Sequence, residues 1–172
     1  MFAIALAVHV AAGITAVVAG AVAAFSRKRP GRHPRAGTVF VCGLAVVFAT
    51  ATVMAALRWR QDWHLFVIAT FAAGAGGLGW LARRRGRLGW HGAAMGAAYI
   101  GLLTGFYVDN GERLPLWDRL PHLAYWLLPA AIGIPVTVLA LVRNGILPVT
   151  GRRRAARRTT APPRPPGPTA PG

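Results

Sequence analysis

The sequence predicts an all-α membrane helix bundle of about five transmembrane helices, with the N-terminus outside and the C-terminus inside. Three observations carry that expectation. Apolar residues make up 55% of the 172 and charged residues only 14%, against about 25% charged in a soluble domain. The apolar residues fall in five runs, about 2–25, 37–57, 63–82, 89–108 and 121–142. Each is close to the ~20 residues a helix needs to cross about 30 Å of hydrocarbon. Finally, the 20 Lys and Arg residues behind the net charge of +16 flank these runs and do not enter them.

The first run reads as an uncleaved span. Ala21-Val22-Ala23 looks like a cleavage site of small residues, but the basic cluster follows the apolar stretch, the reverse of a signal peptide. The second run is rich in Val and Thr and still predicts helix, because in lipid every backbone N–H and C=O must be satisfied within the segment. The alternating polarity of a β-barrel strand is absent. Cys42, the one cysteine, lies in this run. It allows no intrachain disulfide, and it is expected to be a small buried packing residue.

The third run contains Gly74-Ala75-Gly76-Gly77-Leu78-Gly79, which satisfies G-x-G-x-x-G. A dinucleotide site would need a preceding strand and an acid about 20 residues on; Tyr99 stands there instead. These glycines predict close helix packing, as do Gly92-x-x-x-Gly96 and Gly101-x-x-x-Gly105 in the fourth run. The third and fourth helices are therefore expected to pack tightly. In the fifth run, Pro129, Gly133 and Pro135 are expected to interrupt and kink the helix. The bundle takes residues 1–143. Residues 144–172 form a basic, Pro-rich tail with little to bury, expected to be disordered.

Charge sets the orientation. Arg27, Lys28, Arg29, Arg32 and Arg35 follow the first run, and Arg83, Arg84, Arg85 and Arg87 follow the third. Arg143, Arg152, Arg153, Arg154, Arg157, Arg158 and Arg164 follow the fifth. These sixteen share one side. The other side has Arg58, Arg60, Arg113 and Arg119 and all four acids, Asp62, Asp109, Glu112 and Asp118. The basic side is expected in the cytoplasm of a bacterial inner membrane, with the bilayer itself and its anionic headgroups as partners. Trp59, Trp63, Tyr107, Trp117, Tyr125 and Trp126 fall near the outer ends of the runs, as an interfacial belt requires. No run carries the basic stripe of a nucleic-acid-binding element.

Function is written more thinly. No Asp, Glu, Lys or Arg lies deep in a span, which disfavours ion-coupled transport. Ser26 is the sole serine and Cys42 the sole cysteine, and neither stands beside both a base and an acid. No catalytic residue is therefore assigned, and a role without catalysis is favoured. Asp62, His64, Asp109, Glu112, Asp118 and His122 have no close ligand spacing and read as a solvated face, not a metal site.

The order of histidines is the remaining signal. His9 and His64 open two helix pairs from the outside, and His33 and His91 stand at the inner entry of each following helix. The turns Gly31-Arg32-His33-Pro34-Arg35-Ala36-Gly37 and Gly86-Arg87-Leu88-Gly89-Trp90-His91-Gly92 also correspond loosely, suggesting a duplicated two-helix unit. That order would pair His9 with His64 near the outer face and His33 with His91 near the inner one, with His33 in the loop before Pro34. The arrangement is similar to that of the dihaem cytochrome b561 proteins. The resemblance implies haem b as cofactor, His9, His33, His64 and His91 as its ligands, and electron transfer across the bilayer.

The chain also resembles the bacterial membrane family known as domain of unknown function 2306. Its hallmarks are a histidine in the first span, a His-Arg-x-x-Gly turn opening the second, and a later span that begins with histidine. Here they correspond to His9, to His33-Pro34-Arg35-Ala36-Gly37 with Pro34 in the arginine position, and to His91. This resemblance covers about residues 1–142 and implies a polytopic membrane protein. Two readings stand: a small inner-membrane protein with a binding or assembly role, or a b-type haem electron carrier.

Overall fold

The structure, a computed structural model, describes residues 1–27, 30–115 and 119–146. The expected tail therefore lies almost wholly outside the described residues, as do Lys28, Arg29, Trp117 and Asp118. Five α-helices carry the described chain: α1 (Phe2–Phe25), α2 (Arg32–Leu57), α3 (Trp59–Arg84), α4 (Leu88–Asn110) and α5 (His122–Arg143). A single 3₁₀ turn, Gly111–Arg113, follows α4, and there is no strand among the described residues.

The helices overrun the apolar runs for local reasons. α2 starts at Arg32, so Pro34 is its third residue, where the backbone N–H has no intrahelical acceptor and its absence costs nothing. α3 starts at Trp59, leaving Arg58 alone (φ −139°, ψ 49°) between α2 and α3. The Arg58 guanidinium lies 3.9 Å from the centre of the Phe2 ring, tying the start of α1 to this turn. Asp62 in the first turn of α3 and Arg83 and Arg84 in its last complement the helix dipole. α5 is one helix from end to end. The interruption expected at Pro129 and Pro135 does not occur, and Pro129 is buried against the bundle.

α1, α2, α3 and α5 are each long and apolar enough to cross a membrane. α4 falls short of them in apolarity but not in length, since its 23 residues rise about 34 Å. Gly89, Gly92, Gly96, Gly101, Gly105, Tyr99 and Tyr107 dilute its hydropathy, and the same glycines make it the central helix. A Cβ at Gly101 would lie 3.0 Å from Phe71 and 3.2 Å from Ala72 of α3. One at Gly92 would meet Leu141, and one at Gly96 would meet Thr137, both on α5. Tight packing of α3 on α4 is thus observed, but the Gly92/Gly96 pair serves α5 instead.

α1 to α4 form a ring in which each helix packs on its neighbours in sequence and α4 returns to α1, with α5 added on α4. The core inside the ring is made of small residues and a few large ones: Ala16, Ala19, Phe40, Leu44, Val47, Ala72, Ala98 and Leu102. Most of the larger aliphatics point outward, among them Ile4, Ile14, Val18, Leu78, Ile132 and Leu139. In water that distribution would be unstable; with lipid as solvent it is the expected one, because helices associate by close packing of small residues. The chain is a multi-pass membrane protein. Cys42 also points outward, correcting the expectation of a packed cysteine. It shares α2 with buried Phe40, Gly43 and Leu44 but lies on the opposite face. Cys42→Ala is accordingly expected to change thermal stability by no more than ~0.5 kcal/mol, measurable by thermal unfolding in detergent.

The two halves of the ring repeat one another. Ala16, Ala19, Gly20 and Ala23 of α1 correspond to Ala72, Ala75, Gly76 and Gly79 of α3, each pair 56 positions apart. His33, Phe40, Gly43 and Leu44 of α2 correspond to His91, Ala98, Gly101 and Leu102 of α4, 58 positions apart. The contacts repeat with the residues. Gly43 packs on Ala16 as Gly101 packs on Ala72, and Gly20 faces Phe40 as Gly76 faces Ala98. Because the repeat is two helices long, both hairpins point the same way, and the halves are related by an axis running along the bundle.

Candidate functional site

At the end of the bundle that carries the α1–α2 and α3–α4 turns, the repeat brings two histidines together. His33 is in the first turn of α2, not in the preceding loop, and His91 is in the first turn of α4. Their ring centroids are 6.5 Å apart with the planes at 86°. Each ring is held by the helix before it: His33 Nδ1–H donates to the Ala23 carbonyl at 2.9 Å, and His91 Nδ1–H to the Gly79 carbonyl at 2.9 Å. Ala23 and Gly79 are themselves repeat equivalents. A carbonyl oxygen only accepts, so the proton of this bond is on Nδ1 in both rings.

The surroundings are apolar. Phe40 and Tyr99 lie about two turns deeper on the same helices, with ring centroids 6.0 Å apart, and the Tyr99 hydroxyl donates to the Val17 carbonyl at 3.3 Å. Met95, one turn beyond His91, places Sδ 2.8 Å from where a Cβ on Gly79 would stand. Gly79 therefore does two things: its missing side chain admits Met95, and its carbonyl orients His91.

The other sequence-derived site residues are placed differently. His9 Nδ1–H donates to Thr50 Oγ1 at 2.9 Å, and the Thr50 hydroxyl donates onward to the carbonyls of Val46 and Val47. The His64 ring packs between Trp63 and Trp126, at 6.0 and 6.4 Å between centroids. No hydrogen bond or ring contact joins His9 to His64. Register explains why: the two are 55 positions apart, one short of the repeat of α1 on α3, and one residue turns a helix face by about 100°. His122 packs on Tyr125 one turn along α5. Among the described residues no three His, Cys, Asp or Glu side chains lie close enough to hold a metal ion.

The carbonyl anchors at Ala23 and Gly79 and the sulfur of Met95 were outside the reach of sequence reasoning. The first two are backbone atoms whose importance depends on a partner ten or twelve residues away. No protein-family model matches the chain, and no curated protein or solved structure matches it.

Proposed function

We propose that this chain is a five-span inner-membrane protein, N-terminus outside, that binds one b-type haem through His33 and His91 at the cytoplasmic end of the bundle. The observation that carries this reading is the approach of two imidazoles, each with Nδ1 anchored on a backbone carbonyl. Metal-ligating histidines are characteristically fixed in this way, since the anchored N–H sets the tautomer and raises the basicity of the other nitrogen. The donor set fits haem iron, for which neutral imidazole is a good axial ligand. The residues divide the work. His33 and His91 hold the group, Ala23 and Gly79 orient them, and Phe40 and Tyr99 close the site toward the bundle centre. When bound, a haem with two imidazole ligands supplies one-electron transfer.

The test is direct. Protein expressed with ample haem should purify coloured, and its absorption should shift on reduction as six-coordinate bis-histidine iron does. Colourless protein under those conditions leaves a membrane protein with a binding or assembly role and histidines that serve structure.

The orientation rests on the basic asymmetry and has its own test. A reporter active only in the cytoplasm should work when fused after Arg158 and stay silent when fused at Gly111. Equal cytoplasmic activity from both fusions rules out the five-span arrangement.

A further inference from the structure

The repeat is unequal at one place. The α3–α4 turn takes only residues 85–87, whereas the α1–α2 turn takes residues 26–31. Beside the longer turn lies an open groove of about 710 Å³. Ala21, Val22 and Phe25 of α1 form its apolar wall, and Ser26, Arg27 and Arg32 its polar rim. Phe25 is 89% exposed although it ends an apolar helix. Arg32 opens α2, whose first turn contains no acidic residue, and the acids among the described residues, Asp62, Asp109 and Glu112, lie at the opposite end of the bundle. The groove thus pairs an apolar wall, where hydrocarbon begins, with two arginines at headgroup level that have no acid at their end among the described residues.

We infer that this groove holds one anionic phospholipid, its phosphate between Arg27 and Arg32 and an acyl chain along Ala21, Val22 and Phe25. A phosphate monoanion supplies the missing charge, and guanidinium groups bind phosphate with directed hydrogen bonds. The apolar wall selects a lipid over a free anion. The site is separate from the His33/His91 pair, and it stands whether or not haem binds there.

Native mass spectrometry of the full chain in detergent, titrated with phosphatidylglycerol or phosphatidylcholine, tests this. The unmodified chain should retain one phosphatidylglycerol at levels where phosphatidylcholine is lost. Arg27→Ala/Arg32→Ala should weaken retention about 25-fold, or about fivefold for each juxtamembrane arginine. Arg83→Ala/Arg85→Ala removes the same charge from exposed positions at the shorter turn and should leave retention unchanged. Millimolar inorganic phosphate should not displace the lipid. Equal weakening by the two double variants, equal retention of phosphatidylcholine, or displacement by phosphate would each overturn the assignment.

Discussion

Replacing His33 or His91 with alanine is expected to take bound haem from about one per chain to none, while His9→Ala, His64→Ala and His122→Ala leave it in place. The contrast follows from geometry. His33 and His91 face each other at 6.5 Å and are anchored by equivalent carbonyls, so on the proposed reading the loss of either would leave a single imidazole to hold the group. His9 is also anchored, but on Thr50, and it makes no ring contact with His64. His64 is held between two tryptophans. A loss of haem could also follow from a loss of fold. His91→Gly separates the two, because imidazole added to a folded glycine variant occupies the vacated ligand position and restores the six-coordinate spectrum. Unchanged spectra in both the His33→Ala and His91→Ala variants would show that the ligands lie elsewhere. An intermediate result is expected at Gly79. Gly79→Leu would drive against Met95 and shift the carbonyl that orients His91, and loss of such an orienting partner typically weakens a metal site by about 10–100-fold.

Much of this architecture was legible because lipid imposes simple rules. Run length and uncharged composition are enough to place helices when the segment must satisfy its own backbone. Three features were not legible, each for a definable reason. Cys42 was assigned to packing because composition does not reveal which face of an apolar helix is inward; its immediate neighbours, Val39 to Val46, are apolar on both faces. Pro129 and Pro135 suggested a broken helix because proline removes one donor and strains the preceding turn, yet the surrounding helix carries through both. The histidine order suggested two equivalent pairs, but separations of 55 and 58 residues represent different registers. Only the second agrees with the repeat that Gly43/Gly101 and Leu44/Leu102 also follow. A one-residue offset is invisible in a loose duplication and decisive on a helix.

The repeat also explains why only one of the two expected histidine pairs is brought into ring contact. Two parallel hairpins related by an axis along the bundle bring equivalent residues toward that axis wherever the helices bearing them are near it. At the end that carries the α1–α2 and α3–α4 turns, α2 and α4 begin with side chains that reach across the ring, and His33 meets His91 there. α1 and α3 stand at opposite corners, each packed mainly on α2 and α4.

The same packing makes the bundle sensitive to glycine substitutions, and the largest effect on stability is expected at Gly43. A Cβ there would stand 2.9 Å from Ala16 Cβ and 3.4 Å from both Ala16 Cα and the Ala12 carbonyl oxygen. Nothing in that list is the end of a flexible side chain, so α1 and α2 must separate to accept even alanine. Gly43→Leu therefore overpacks a site of backbone approach, and such changes cost about 1–3 kcal/mol or more. Gly20 offers a useful comparison, because its near neighbours are the rings of Tyr99 and Phe40, which can rotate; Gly20→Ala should cost less than Gly43→Ala. At Gly74 no atom lies within 4 Å, and Gly74→Ala should raise stability by up to ~1 kcal/mol through helix propensity. Thermal unfolding of the four variants in one detergent reads the order directly: Gly43→Leu lowest, Gly74→Ala at or above the parent. If Gly43→Leu unfolds with the parent, α1 and α2 are not in the close contact on which the repeat, and with it the alignment of His33 with His91, depends.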